Sequence, residues 1–154
     1  MTVLISDFAA YHRLAAYLSW RTDGRIGMVM GVPSLVDLFD EASSAHLPGG
    51  ILESFGRLLK NDLRLFVYPM LRDGEVVTVE TVRVTDELQP LYDYLARRGS
   101  FVSLDNHRPE YLPILSRDVL RLIPTQDESW EAMVPPAVSG LIRKRGFFGF
   151  PRDR

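Results

Sequence analysis

Leu63 to Tyr68, LRLFVY, is the most strand-like segment of this 154-residue sequence, and it decides the predicted fold. Branched and aromatic side chains suit a pleated sheet, and Pro69 ends the run because proline cannot donate to a strand ladder. Two other short apolar runs also end at a polar residue: TVLIS at Thr2 to Ser6, before Asp7, and FVSL at Phe101 to Leu104, before Asp105. We therefore expect three short strands.

Helical patterns separate these runs. One apolar stripe recurs at intervals of three and four residues, which is typical of an amphipathic helix: Phe8, Tyr11, Leu14, Ala15 and Leu18. Similar stripes follow Pro33, Gly50 and Pro90. Strands alternating with helices build a parallel sheet, so the sequence predicts a small three-layer α/β domain with a mostly parallel sheet.

Two segments add to this outline. Arg72, Asp73 and Gly74 form a turn signal, so Val76 to Val84 is interpreted as an antiparallel β-hairpin addition. Arg25 to Met30 is a further apolar run, too short for periodicity to assign it to a helix. We expect one domain over residues 1–154, with the sheet and its helices in 1–110 and a C-terminal helical cap in 111–150.

Composition restricts the classes of function. The 18 basic and 20 acidic residues give a net charge of −2, so we expect no nucleic-acid partner. The absence of cysteine excludes disulfides, thiolate nucleophiles and Cys-ligated metals. The sequence shows no signal-peptide pattern and no run of 18 apolar residues, so we expect no membrane association and a cytoplasmic location.

Polar residues at the predicted strand ends are the candidate ligand-binding residues. In open α/β sheets, ligands bind beyond the carboxyl ends of the strands. That rule selects Asp7, Tyr68, Asp105, Asn106, His107 and Arg108. Asp105 or His107 could serve as a base and Arg108 could bind a phosphate group. The alternative is a loop of turn-forming residues in which Asp105 or Asn106 caps local backbone groups.

No complete catalytic, metal-binding or nucleotide-binding motif accompanies these residues. His12, His46 and His107 are not spaced as metal ligands, so we expect no metal. Gly24, Gly27 and Gly31 do not form a dinucleotide fingerprint or a P-loop, and no cofactor is expected.

The C-terminal segment carries a family resemblance. SRDVLRLI (Ser116 to Ile123), MVPPAV (Met133 to Val138) and LIRKRGFF (Leu141 to Phe148) resemble, in order and spacing, the end of bacterial nicotinate-nucleotide adenylyltransferases. Residues 68–150 are also similar to an uncharacterised bacterial family whose tail has this likeness. The resemblance implies two helices and a glycine-aromatic tail. The enzymes' N-terminal glycine-rich loop with its histidines has no counterpart after TVLIS, and Arg117 and Leu120 replace phosphate-binding positions.

Two hypotheses of function follow, and whether the protein is an enzyme stays open, with the balance against it. The first is a non-enzymatic accessory or regulatory protein that acts through a partner surface or senses a small ligand. A protein partner or self-association would use the aromatic tail, Phe147, Phe148 and Phe150; the alternative is that these rings pack onto the protein's own sheet. The alternative is a small nucleotide-binding protein or enzyme, related to the adenylyltransferases, with its site at the strand ends.

Overall fold

The computed structural model describes residues 7–8, 10–125 and 127–151. The chain forms two compact units, residues 1–106 and residues 107–154. The predicted strand at Thr2 to Ser6 lies outside the described residues. The single-domain organisation stays a prediction.

Within its described residues, the first unit contains five strands and five helices. The strands are β1 (Gly27–Gly31), β2 (Arg64–Tyr68), β3 (Met70–Arg72), β4 (Glu75–Val77) and β5 (Phe101–Ser103). The helices are α1 (Tyr11–Ser19), α2 (Val32–Asp37), α3 (Glu41–Ser44), α4 (Gly50–Leu58) and α5 (Gln89–Arg97), with a 3-10 turn at Lys60–Asp62.

A three-stranded parallel sheet forms the centre of this unit, in the order β1, β2, β5. The predictions for β2 and β5 are confirmed. The unassigned apolar run supplies β1, which pairs with β2 from Gly27 opposite Arg64 to Gly31 opposite Tyr68. This small α/β arrangement matches the coarse fold prediction, whereas the three-layer arrangement stays a prediction.

The two faces of the sheet differ in burial. One face contributes the buried side chains of Met28, Met30, Leu65, Val67 and Phe101 to the core. On the other face, Val29 pairs with Phe66, which pairs with Val102. Val29 is 72% exposed and the other two are half-buried. The core therefore lies on one face.

An aromatic cluster fills this core. The rings of Phe39 and Phe55 have centroids 4.7 Å apart, and Tyr92 and Phe101 complete the cluster with centroids 5.4 Å apart. Offset and edge-to-face arrangements of this kind add to the energy of apolar burial. The cluster joins residues from α4, α5 and β5 into one packed interior.

Helix start and end signals are confirmed at several positions. Proline lies in the first turn of α2 and of α5, where its missing N–H has no helical partner. Gly99 follows α5 with φ +77, a conformation that favours glycine. Helix α1 begins after Ala10, and no side chain caps it.

The hairpin is confirmed, but its predicted length is wrong. β3 and β4 pair antiparallel through Asp73 and Gly74, both at positive φ. The second strand ends at Val77, and the backbone turns because Thr78 and Thr81 offer it local hydrogen bonds, including one from the Thr78 N–H to the Thr81 hydroxyl (2.9 Å). Val79 and Val82 are then buried in the core instead of extending the ribbon.

The second unit is helical. It contains α6 (Ser116–Leu122), α7 (Pro136–Arg145) and 3-10 turns at Pro109–Tyr111, Ile123–Thr125, Glu128–Met133 and Phe147–Gly149. Helix α6 begins at Ser116, and the residue before it, Leu115, provides no side-chain cap. Asp127 does begin the next turn, accepting a hydrogen bond of 2.9 Å from the Ser129 N–H.

This unit has its own small core. Trp130 is fully buried, with Val119, Ile123 and Ile142 around it. Phe150 packs edge-on against Trp130, with ring centroids 6.0 Å apart. Gly146 ends α7 in the left-handed conformation, as the sequence predicts.

Candidate functional site

The strand-end residues predicted as a site are divided between the two units. Tyr68 is the last residue of β2. Asp105 and Asn106 are the second and third residues after the end of β5. Since β2 and β5 are parallel neighbours, the structure brings these three to the same edge of the sheet. Tyr68 is half-buried, while Asp105 and Asn106 are exposed.

The remaining three predicted residues are Asp7, His107 and Arg108. Asp7 is exposed, ahead of α1. His107 and Arg108 belong to the second unit, where the Arg108 guanidinium lies 5.9 Å from the centroid of the Tyr111 ring. That stacking gives Arg108 a local structural role. None of the six residues lines either of the two clefts described below. The six-residue site therefore stays a prediction.

A cleft in the first unit offers a better-defined candidate site, which we call the α1–α4 cleft. Its volume is about 410 Å³, within the range of small-molecule pockets. The lining combines basic, polar and aromatic side chains from α1 and from the C-terminal end of α4: His12, Arg13, Ala16, Ser19, Trp20, Arg57, Lys60 and Asn61.

The wall from α1 follows from helical spacing. His12, Ala16 and Ser19 recur at intervals of four and three, so they lie along one face of the helix. The neighbouring stripe, with Ala15 buried, packs into the core. At the end of the wall Trp20 is 89% exposed, the most exposed large apolar side chain in the described chain. A tryptophan in this position offers its flat face to solvent.

The wall from α4 ends in a tight turn. Ile51, Phe55 and Leu58 anchor α4 in the core, which leaves Arg57 facing outward. Asn61 and Asp62 then adopt positive φ, a conformation that Asn and Asp tolerate better than most residues. This turn places Lys60 and Asn61 beside the end of α1.

The electrostatic character of the cleft is positive. Arg57 pairs with Glu53 one turn earlier on α4. The Gly49 N–H and the Arg57 guanidinium hydrogen-bond the Glu53 carboxylate and hold its pKa below the usual value. Glu53 therefore stays ionised and offsets one of the three fixed cations. Among the described residues, no carboxylate forms an ion pair with Arg13 or Lys60.

His12 is the least exposed polar residue of the cleft. It is only 8% exposed, and its ring is stacked with that of His46 at a centroid distance of 6.2 Å. Burial lowers the pKa of His12, and the nearby charges of Arg57, His46 and Arg13 lower it further. The neutral imidazole is therefore favoured at neutral pH.

A second cleft, of about 350 Å³, has the opposite character. Its lining includes Asp37, Asp40, Glu41 and Glu87. Asp40 is already engaged, since its carboxylate caps α3 at 3.0 Å from the Ala42 N–H.

Within the described ranges, no three His, Asp or Glu side chains converge in a way that would hold a metal ion. None of the described helices is long and apolar enough to cross a membrane.

Sequence reasoning missed the α1–α4 cleft. The spacing of His12 and His46 indicates no site, and the basic residues carry no motif. The available signal was the polar stripe from His12 to Trp20 beside the apolar stripe of the same helix. Periodicity cannot show that Arg57 and Lys60, more than 40 residues after His12, complete the site. No protein-family model, curated protein or solved structure shows a significant match to this chain.

Proposed function

We propose that this protein is a non-enzymatic accessory or regulatory protein that senses a small anionic ligand in the α1–α4 cleft. The observation that carries the proposal is the pair of basic side chains, Arg13 and Lys60, that line a pocket and have no described anionic partner. The chain as a whole has a net charge of −2, so this local positive charge is not a consequence of composition.

A count of charges favours an anion. Three fixed cations, Arg13, Arg57 and Lys60, line the cleft, and Glu53 offsets one. The C-terminal ends of α1 and α4 both lie beside the cleft, and each contributes about half a negative charge. The balance is a site with roughly one net positive charge when His12 is neutral. Arginine and lysine donors recognise phosphate, sulfate and carboxylate groups.

The aromatic rim favours an organic anion with a planar part. Trp20 lies at the end of the cleft next to Lys60 and Asn61. Its exposed indole can stack on a planar group, a contact that contributes about 1–3 kcal/mol in comparable ligand sites. The lining provides donors and cations, and the carboxylate beside it is already paired. These groups support recognition of an anionic ligand, since the cations and the His12 imidazole line the cleft and the nearby Glu53 carboxylate is paired with Arg57.

The proposal is tested by titrating the protein with phenyl phosphate. Binding is monitored by calorimetry and by tryptophan fluorescence, in which Trp20 is the exposed tryptophan. We expect saturable binding at low ionic strength that weakens with added salt. An Arg13→Gln and Lys60→Gln double variant should lose at least about tenfold in affinity, since two charge-assisted contacts are removed. Benzyl alcohol should not bind, because it lacks the charge.

A charge-matched control separates the cleft from general electrostatics. Arg72→Gln combined with Lys144→Gln removes the same two charges elsewhere on exposed positions. This control should bind phenyl phosphate as the wild type does. Equal losses in both double variants, or no binding by the wild type, would contradict the proposal. ATP and nicotinate mononucleotide serve as further ligands that test the alternative of a nucleotide-binding protein.

A partner surface on the second unit is the second candidate. Phe147 and Phe148 are both exposed, with ring centroids 6.2 Å apart, and Val138 and Leu141 are exposed one turn apart on α7. Exposed apolar groups of this kind are typical of contact surfaces. Sedimentation of the wild type and a Phe147→Ser, Phe148→Ser variant would test it: self-association that persists in the variant argues against this surface.

A further inference from the structure

We infer that His12 takes up a proton when the α1–α4 cleft binds a dianionic oxyanion, so that ligand binding is linked to pH through one buried histidine. This inference rests on the proposed anion site and adds the charge class of its ligand.

The first step is access. His12 lines the cleft from α1 and is 8% exposed. No described residue hydrogen-bonds its ring, and the described chain contains no side-chain nitrogen that is both sealed from solvent and unpaired. The ring nitrogens of His12 therefore remain available to a ligand in the cleft. A protonated imidazole can donate from both of its nitrogens to oxyanion oxygens.

The second step is the electrostatic setting. The groups that face His12 are Arg13 on its own helix, Arg57 and Glu53 on α4, and His46 in the loop after α3. Burial is the largest cause that lowers the pKa of His12, and the cations add to it, while Glu53 opposes them. A proton on His12 is therefore disfavoured until a negative charge arrives. An opposite charge within hydrogen-bonding distance typically raises such a pKa by about 1–3 units.

The third step is charge balance. The fixed groups and helix ends leave the cleft with roughly one positive charge, so a monoanion is already matched. A dianion brings one negative charge more than the cleft can neutralise. A proton on His12 supplies the missing positive charge. Sulfate esters and carboxylates carry a single charge, whereas inorganic sulfate and fully ionised phosphate monoesters carry about two. The inferred ligand class is therefore the phosphate monoester or another dianionic oxyanion.

The probe that tests this inference is inorganic sulfate, because its charge does not change near neutral pH and any pH dependence comes from the protein. We expect the dissociation constant of sulfate to fall as the pH decreases from about 8 to 5.5. The fall should reach up to about tenfold per pH unit between the pKa of His12 in the free protein and its pKa in the complex. Calorimetry in two buffers of different ionisation enthalpy should show uptake of up to about one proton on binding near the middle of this range.

Two histidine variants provide the comparison. His12→Gln should bind sulfate more weakly at low pH and lose the pH dependence. His107→Gln removes a histidine from the second unit and should keep the wild-type dependence. Methyl sulfate, a monoanion, should show little proton uptake in the wild type.

The outcomes separate this inference from the proposed function. Sulfate binding that needs Arg13 and Lys60 but takes up no proton overturns the inference and leaves the anion site intact. Persistence of the pH dependence in His12→Gln also overturns it. Failure of the wild type to bind sulfate or phenyl phosphate at any pH overturns both. If His12→Gln does not fold, NMR titration of the His12 ring in the wild type decides: its pKa must rise when sulfate is added.

Discussion

The Tyr92 hydroxyl donates a hydrogen bond of 2.7 Å to the backbone carbonyl of Val79 inside the core. Tyr92 lies on α5, and Val79 lies in the segment that leaves the hairpin. The segment around Val79 has no strand partner, and this hydrogen bond holds it against α5. It also satisfies a carbonyl that would otherwise be buried without a partner.

Tyr92→Phe should lower the free energy of unfolding by about 1–3 kcal/mol, because the Val79 carbonyl then stays buried and unpaired. Chemical denaturation monitored by circular dichroism measures the change. Tyr94→Phe is the matched control, since Tyr94 is exposed on the same helix. A loss of equal size in both variants would show that the buried bond is not the cause.

The same tyrosine should make the fold sensitive to alkaline pH. Burial is the main reason that the pKa of Tyr92 is raised far above its ordinary value, so the folded state keeps the phenol protonated. The unfolded chain releases this proton near pH ~10. The stabilisation is therefore complete below about pH 10 and is lost progressively as the pH rises above it. Tyr92→Phe should show a shallower loss of stability in this range, measured by denaturation between pH ~9 and ~11.

Gly27→Ala should destabilise the sheet through contact with one ring. A Cβ on Gly27 would lie 2.7 Å from Cε2 of Phe66, so the ring must move from its place beside β1. Because Phe66 is half-buried on the face away from the core, the ring can shift at a cost of about 1 kcal/mol, the low end of the usual penalty for overpacking. Gly31→Ala is the control on the same strand, because its nearest contact is 3.4 Å. Denaturation curves give both values.

A double-mutant cycle identifies the cause of that loss. Phe66→Leu should itself weaken packing, but Gly27→Ala should cost little in the Phe66→Leu background because the clashing ring atoms are gone. Additive effects of the two substitutions would contradict the contact as the source of strain.

The aromatic tail should divide into a structural and a dispensable part. Phe150→Ala removes the ring that packs edge-on against Trp130 and lies under the Arg143 guanidinium. It should lower the stability of the second unit by about 2 kcal/mol. Phe148→Ala removes a ring that is 59% exposed and should change stability by less than about 0.5 kcal/mol. In a Trp20→Phe background Trp130 is the only tryptophan of the chain, so tryptophan fluorescence during denaturation follows this unit.

The sequence predicts the elements better than it predicts their assembly. Proline in the first turn of α5 and Gly99 after it are local signals, and both are confirmed because capping depends on neighbouring residues. The run that forms β1 has no such signal. Five apolar residues look alike in a short strand and a buried helix, and the partner of β1 begins at Arg64, beyond three helices.

The candidate site shows the same limit. Strand-end reasoning brings Tyr68 and Asp105 to one edge of the sheet, which the parallel pairing of β2 and β5 supports. The α1–α4 cleft depends instead on which faces of two helices meet. Nothing local links His12 with Lys60, because burial of the adjacent apolar stripes is what brings their helices together. Only tertiary packing places these polar side chains in one pocket.

Glu53→Gln should strengthen anion binding in the α1–α4 cleft. An increase in affinity would support the electrostatic description of the cleft. The substitution removes the carboxylate that offsets Arg57 and keeps the size of the side chain. A glutamine oxygen can still accept the hydrogen bond from the Gly49 N–H. Removal of the negative charge that pairs with Arg57 should tighten binding of phenyl phosphate by about fivefold at low salt. Glu87→Gln, which lines the acidic cleft, should leave affinity unchanged. Weaker binding by Glu53→Gln would contradict this account. It would mean that Glu53 mainly orients the Arg57 guanidinium towards the ligand and that its competition with the ligand for Arg57 matters less.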